Sequence, residues 1–279
     1  MEHLRRRNSL MPNRFQHLEL VCLNIDGVLL PDTFSPVVHR FLSRFGVEYT
    51  SLLERLILSQ PRMVSASILA SVAGLPWTWQ QVVDEYFAER DRYLADHPLT
   101  VSPGTAELLT LLRDKGAVTI CYGGMDRDSF DTYLGEYRHL FAEPGYITTD
   151  RIRPGIKEIV TEYFDYRYDQ VLFVDDVNRF AEFAKHLDVA FIGVPSSFEY
   201  GFQREHMRRT GVRHIVDTLL DIDDALLDQV DREAAAGTVW AEHVPQEHPD
   251  QRGQRGARQG NGPTVRGDGP QPRTVRPPS

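Results

Sequence analysis

Four short apolar runs, separated by helical patterns, constrain the fold of this chain more than any other feature. They are LELVCLNI (residues 18–25), AVTICY (117–122), QVLFVDD (170–176) and VAFIGV (189–194). Such runs are typical of strands buried on both faces of a parallel sheet. Apolar residues at three-to-four spacing indicate helices in TAELLTLLRDKG (105–116), IKEIVTEYF (156–164) and NRFAEFAKHL (178–187). The alternation predicts an α/β fold with a Rossmann-like parallel sheet sandwiched by helices.

A long helical segment follows the first predicted strand. Over about seventy residues, the only regular patterns are helical, in PVVHRFLSRFG (36–46), SASILASVAG (65–74) and WQQVVDEYFAERDRYLAD (79–96). We therefore expect an α-helical cap over residues 32–99, inserted into a core formed by residues 16–31 and 100–235. Residues 210–230 predict a last short strand and a closing helix, and residues 1–15 are expected to be flexible.

The C-terminal part of the chain has a different composition and charge. From residue 242 it is rich in Gly, Pro, Gln and Arg with few apolar residues, which predicts a disordered tail over 242–279. Residues 251–279 hold six arginines and one acid, so this part carries about +5 of a total of −9 and leaves about −14 on the rest. An acidic body argues against nucleic acid as a partner. A small molecule, or a protein bound through the cap or the tail, is the expected partner.

The cysteines and the hydropathy pattern indicate the compartment. Cys22 and Cys121 lie in apolar runs, which predicts buried free thiols. No apolar stretch of signal-peptide length follows the basic residues at the start, and no window approaches the ~18 apolar residues of a membrane helix. We expect a cytoplasmic protein that does not associate with membranes.

Polar residues follow the predicted strands at the places where ligands bind in parallel α/β sheets, beyond the carboxyl ends of the strands. Four clusters occur in order along the chain: Asn24 and Asp26, Tyr122 to Gly124, Arg153 before Pro154, and Asp175 with Asp176.

The chain resembles the haloacid dehalogenase superfamily from Leu18 to Val230. The resemblance rests on these clusters, on the helical segment after the first strand, and on the segments SPGTAELLTLLRDKG and VLFVDD. Most members of that superfamily are Mg²⁺-dependent phosphatases. Their first motif is Asp-x-Asp, in which the first Asp attacks phosphorus and the second acts as acid and base. A Thr or Ser ends the second strand, a Lys precedes a Pro, and paired acids hold Mg²⁺.

The resemblance implies a role for seven residues of this chain. The catalytic positions fall on Asn24 and Asp26, and phosphate or substrate binding falls on Gly123, Gly124 and Arg153. The implied metal ligands are Asp175, Asp176, Asn24 and the backbone carbonyl of Asp26.

Two of the four motif positions have lost their chemistry. Asn24 stands at the nucleophile position, where a neutral amide cannot form an aspartyl-phosphate. The expected hydroxyl falls on Gly123, or on Tyr122 if the register slips by one. Arg153 keeps a positive charge able to bind phosphate, with Lys157 as a second candidate. Because a carboxylate is missing beside the metal site, we expect weak Mg²⁺ binding or none.

Each of these residues also has a purely structural interpretation. Asp26 would cap the turn at Gly27, Asp175 would orient a loop by accepting backbone N–H bonds, and Asn24 would bond neighbouring loops. Arg153 would be an ordinary surface arginine before a proline. Beyond the paired acids, Phe180 and Ala181 stand where an acid or Asn is usual, and only Asn178 lies near. Within the cap, three residues would either line the cleft or pack the cap itself: Arg62, Trp77 and Trp79.

Three functions are compatible with this pattern. The first is a haloacid dehalogenase-like protein that binds a small phosphorylated or carboxylated metabolite, with impaired or altered aspartyl-phosphate catalysis. The second is a hydrolase or phosphatase with a changed mechanism, in which Asp26 is the general base. The third is a non-catalytic regulatory or scaffold protein. Loss at two motifs together favours natural degeneration or re-purposing over a single engineered change at Asn24.

Overall fold

The computed structural model describes residues 14–240. The predicted tail over 242–279 lies outside the described residues, as does all but the end of the predicted flexible N-terminus. Six strands form one parallel sheet in the order β3-β2-β1-β4-β5-β6. They are β1 (Leu20–Asn24), β2 (Val118–Gly123), β3 (Tyr146–Thr148), β4 (Val171–Asp175), β5 (Ala190–Gly193) and β6 (His214–Ile215).

The α-helices form two groups along the chain, one directly after β1 and one that begins at Thr105 and alternates with the later strands. The first group is α1 (Phe34–Ser43), α2 (Ser51–Ile57), α3 (Arg62–Val72) and α4 (Trp79–Asp96). The second group is α5 (Thr105–Asp114), α6 (Arg127–Leu134), α7 (Asn178–His186), α8 (Gln203–Thr210) and α9 (Asp224–Ala236). None of the described helices is both long enough and apolar enough to cross a bilayer.

The strands are buried on both faces, as their apolar runs predict. Val21 and Leu23 of β1 belong to one hydrophobic cluster, while Leu20 and Cys22 belong to a second cluster on the opposite face. Alternate residues of a strand point to opposite faces, so helices must cover both sides. The predicted α/β fold is confirmed, and the two cysteines are buried and free.

Helices α1 to α4 form what we call the helical insert (residues 34–96). They pack around a cluster of their own, which contains Phe41, Leu53, Leu69 and Val82, and Trp77 packs against it. Helix α2 was not predicted, although Thr50 caps it through its side chain. The boundaries of a separate cap at residues 32–99 stay a prediction.

Helix α2 connects the helical insert to the core through polar contacts. The buried carboxylate of Glu54 accepts a hydrogen bond from the backbone N–H of Phe202 at 2.9 Å. On the same helix, Arg55 pairs with Glu182 at 2.7 Å. These contacts attach one side of the insert to the elements around α7 and α8.

The core differs from the sequence expectation at α8, which was not predicted, and at three further elements. Strand β3 was not predicted, because only Tyr146 and Ile147 of its three residues are buried. Helix α6 was not predicted either, since Phe130 and Leu134 are its only buried residues. The segment predicted as a helix over 156–164 forms a π-helix at Glu158–Tyr163.

Candidate functional site

A pocket lies between the carboxyl edge of the sheet and the helical insert, with a cavity volume of about 220 Å³. The parallel register brings the ends of β1, β2 and β4 to this edge, where Asn24 pairs with Tyr122 and Leu23 with Val174. All seven residues predicted for the site line this pocket: Asn24, Asp26, Gly123, Gly124, Arg153, Asp175 and Asp176. The structure therefore places them together, while their roles stay predictions.

Asn24, at the end of β1, joins two acceptors through its side chain. Its Nδ2 donates to the backbone oxygen of Asp26 at 3.0 Å and to Oδ1 of Asp176 at 2.9 Å. The opposite amide orientation would place Oδ1 against two oxygen acceptors, so the hydrogen bonds fix the amide as described. Asn24 thus holds the first strand end to the fourth.

The side chain of Asp176 packs against the backbone of Gly27. A Cβ at Gly27 would lie 2.2 Å from Oδ2 of Asp176, and Gly27 has a φ of +92°. Burial raises the pKa of Asp176, and the charge of Asp175 raises it further. The carboxylate is therefore held in a low-dielectric position where its charged form is costly.

Asp175 has a structural role in this arrangement. Its Oδ2 accepts from the hydroxyl of Tyr122 at 2.5 Å, and its Oδ1 accepts from the backbone N–H of Val177 at 2.7 Å. Burial raises its pKa to about 6, although the Tyr122 hydrogen bond lowers it. The orienting role considered for Asp175 matches this geometry. The Tyr122 hydroxyl is directed to Asp175 rather than to a ligand.

Asp26 holds the loop between β1 and α1. Its Oδ1 accepts from the backbone N–H of Thr33 at 3.2 Å and from the Thr33 hydroxyl at 3.4 Å. Loss of hydration within the pocket raises the pKa of Asp26 to about 7, and the charge of Asp32 contributes. Asp26 therefore has both a structural contact and a proton affinity near neutrality.

The two glycines after β2 leave room for the side chains around them. A Cβ at Gly124 would lie 1.5 Å from Nη2 of Arg153, so the guanidinium occupies that space. A Cβ at Gly123 would meet Ile25 at 2.6 Å and Oδ1 of Asn24 at 2.9 Å. A serine or threonine at either position would displace its neighbours. The family hydroxyl could therefore enter at either glycine only if the side chains of Arg153, or of Ile25 and Asn24, moved.

Two residues considered for the site lie outside it. Lys157 is exposed and is not among the residues that line the pocket, so it does not support Arg153 there. Asn178 is buried away from the pocket, where its Nδ2 donates to Glu182 at 3.2 Å and its backbone N–H donates to Gln203 at 2.6 Å.

Further polar residues line the pocket, and of Arg62, Arg90 and Asp32 only Arg62 was a candidate from the sequence. Arg62 approaches Asp150 at 3.9 Å across the gap between insert and core. Arg90 donates to the hydroxyl of Thr33 at 3.3 Å, and Asp32 caps α1 by accepting from two backbone N–H groups. Arg62 had been considered for the cleft, but Arg90 and Asp32 carried no motif spacing. A cap signal before α1 was the only indication of Asp32.

The wall that the helical insert contributes is mainly apolar. Leu69, Val82, Tyr86 and Phe87 line it, and Arg62 lies over the Phe87 ring at 5.5 Å from the ring centre. Both Trp77 and Trp79 pack within the insert instead. The pocket is therefore charged at the sheet edge and apolar on the opposite side.

The residues predicted as metal ligands do not fit Mg²⁺ as they are arranged. Within residues 14–240, no three His, Cys, Asp or Glu side chains are grouped as a cation site. The Asn24 amide nitrogen already donates to two of the expected ligand oxygens, and both oxygens of Asp175 accept hydrogen bonds. Mg²⁺ is usually held by one or two carboxylates, and in this donor set the carboxylates and the carbonyl already accept hydrogen bonds from Asn24, Tyr122 and Val177.

Solved structures with this architecture define a haloacid dehalogenase-like fold. A conserved haloacid dehalogenase-like protein of unknown function from Agrobacterium tumefaciens is 19% identical, with a TM-score of 0.57, over 76% of this chain and 99% of its own. A family IA, variant 3 hydrolase from Entamoeba histolytica is 12% identical, with a TM-score of 0.58, over 77% and 100%. A phosphonoacetaldehyde hydrolase-like protein from Oleispira antarctica is 15% identical, with a TM-score of 0.57, over 80% and 96%.

The sequence comparisons give no nearer relative. No protein-family profile matches the chain, and no curated protein matches it. At identities under 20% the likeness to solved structures establishes the fold of the chain.

Proposed function

We propose that this protein is a member of the haloacid dehalogenase superfamily that binds a small phosphorylated or carboxylated metabolite between the sheet edge and the helical insert. Aspartyl-phosphate catalysis is impaired in it. The observation that carries the proposal is the side chain of Asn24, a non-nucleophilic amide whose nitrogen is fixed by Asp176 and by the carbonyl of Asp26.

Three arginines in the pocket support an oxyanion as the ligand, although six aspartates line the pocket as well. Arg153 lies on Gly124 at the sheet edge, and Arg62 and Arg90 line the insert side. Guanidinium groups bind carboxylate and phosphate oxygens in pairs. The apolar wall then contacts the rest of the ligand, as in most small-molecule sites.

A second candidate function rests on Asp26. A carboxylate with a pKa of about 7 that lines a pocket meets the requirement for a general base near neutral pH. In this alternative, Asp26 removes a proton from water or substrate and no covalent intermediate forms on residue 24.

Turnover measurements test the proposal. Purified full-length protein should hydrolyse an aryl phosphate at a rate near background with Mg²⁺ present, because the attacking carboxylate is missing. Turnover at roughly 1 per second or more, the range of ordinary enzymes, would contradict it. Asn24→Asp alone should not restore full activity, since the hydroxyl of the second motif is missing too.

Asp26→Asn separates the two candidates. If a metabolite is turned over and this variant loses the activity while still binding the metabolite, Asp26 is the base. Stabilisation of the wild type by a ligand that is never turned over supports the binding function.

A further inference from the structure

The Asn24 amide joins two oxygen atoms at the sheet edge, as a bound cation would do. One nitrogen donates to the carboxylate of Asp176 and to the carbonyl of Asp26 at 2.9 and 3.0 Å, so both oxygens are satisfied by the protein itself. Mg²⁺ at this place would require the amide to turn its oxygen inward, and both hydrogen bonds would be lost. The amide therefore joins the two oxygens without a metal.

Arginine must then supply the positive charge that a ligand meets. The pocket is lined by six aspartates and three arginines. Arg62 approaches Asp150, and Arg90 donates to Thr33. The third arginine, Arg153, lies on the backbone of Gly124, and its Nε is buried without a hydrogen-bond partner among the described residues. A buried donor of this kind calls for an acceptor.

The charges in the pocket favour a ligand with one negative charge over a phosphate dianion. In a metal-dependent site, a divalent ion offsets the second charge of a phosphate dianion. Here the second charge would face the carboxyl groups of Asp175 and Asp176 with no such ion, and a negative charge on either carboxyl group would repel it strongly. A single negative charge avoids this cost. The planar fork of a guanidinium binds a carboxylate through two parallel hydrogen bonds, as it does a phosphate, so the preference for a carboxylate rests on charge.

The shape and lining of the pocket select the rest of the ligand. Leu69, Val82 and Phe87 form the wall opposite the charged edge. An apolar cavity of about 150 Å³ holds benzene. The volume of about 220 Å³ therefore holds one ring with a carboxylate attached.

From these contacts we infer that the pocket is a metal-independent site for a monocarboxylate with an apolar or aromatic body, and that Arg153 binds the carboxylate. This inference rests on the proposed binding function and deepens it. Arg153 binds the anion in this inference. Asn24 is a hydrogen-bond donor within the protein that makes a metal unnecessary.

A matched pair of ligands tests the inference. Phenylacetate and phenyl phosphate share a ring, and at pH 8 the first is a monoanion and the second a dianion. Calorimetric titration of the full-length protein should give at least tenfold tighter binding of phenylacetate, with the same affinity in EDTA and in Mg²⁺. Benzyl alcohol, which has no charge, should bind at least tenfold more weakly than phenylacetate.

Variants test the role of Arg153. Arg153→Lys keeps the charge but loses the fork, so phenylacetate should bind at least tenfold more weakly. Gly124→Ala should have the same effect, because its methyl group would displace the guanidinium. Arg113→Lys, on the exposed face of α5, is the matched control and should bind like the wild type. Circular dichroism establishes that each variant is folded.

The possible failures are distinguishable. Tighter binding of phenyl phosphate, or binding that requires Mg²⁺, overturns this inference and leaves the proposed binding function in place. Unchanged binding in both folded variants, Arg153→Lys and Gly124→Ala, overturns the assignment to Arg153. If neither anion binds or stabilises the protein, both this inference and the proposed oxyanion-binding function fail.

Discussion

The carboxyl group of Glu54, in the helix that connects the insert to the core, should make the stability of the protein depend on pH. Glu54 is fully buried and accepts from the backbone N–H of Phe202. Burial raises its pKa from 4.5 to about 7, although that hydrogen bond lowers it. Glu54→Gln keeps an acceptor for Phe202 and removes the charge.

The sign and the size of the effect follow from the shift. A carboxyl whose pKa is raised by folding disfavours its charged form, so the free energy of unfolding is highest below pH 4.5, falls as pH rises to about 7, and is constant above that. At 1.36 kcal/mol per pH unit, the whole interval corresponds to about 3 kcal/mol, and the part between pH 5 and 8 to about 2.5 kcal/mol. The free energy of unfolding of Glu54→Gln, relative to that of the wild type, should therefore rise by about 2.5 kcal/mol between pH 5 and pH 8.

Urea denaturation of both proteins at pH 5, 6, 7 and 8 measures this difference. The change of the difference with pH is the quantity of interest, because it does not depend on how well the glutamine packs. Leu52→Ala, exposed on the same helix and without an ionisable group, is the control and should differ from the wild type by a constant amount. A constant difference for Glu54→Gln as well would refute the argument, since Glu54 would then titrate alike in the folded and unfolded protein.

Three further predictions concern the sheet edge. Asn24→Asp places a carboxylate about 3 Å from Asp176, so Mg²⁺ should raise the unfolding temperature of this variant and not that of the wild type; an equal response of both would contradict the arrangement. Tyr122→Phe removes the hydrogen bond to the buried carboxylate at the end of β4 and should cost about 1–3 kcal/mol in urea denaturation. Gly27→Ala should destabilise more than Gly46→Ala, because both have positive φ but only Gly27 has a carboxylate in the way; equal losses of stability would mean that the Asp176 contact does not matter.

Much of the fold is predictable because the strands that build the central sheet are apolar on both faces. β1, β2, β4 and β5 each coincide with a predicted run. By contrast, β3 is short and presents too few apolar residues to stand out from a loop. Helix α2 is short as well, and it buries Glu54, which no amphipathic pattern would place inside the protein.

The site is predictable to the extent that it lies at strand ends. Asn24, Asp26 and Asp176 come together because parallel strands end at one edge of the sheet. Arg90 was not predicted, because its place in the pocket depends on how the insert packs on the core. The partner of each amide and carboxylate also depends on distances of a few ångströms that a sequence pattern does not contain. The Tyr122 hydroxyl, which bonds Asp175, is an example.

The contact between Arg153 and Gly124 has a consequence for how this protein diverges in evolution. Because a β-carbon at position 124 would lie 1.5 Å from the guanidinium, a side chain can enter there only after Arg153 has been lost or has moved. The two positions should therefore change together among descendants of this chain. An arginine at 153 should accompany a glycine at 124, and a lineage that regains a hydroxyl residue at 124 should carry a different residue at 153.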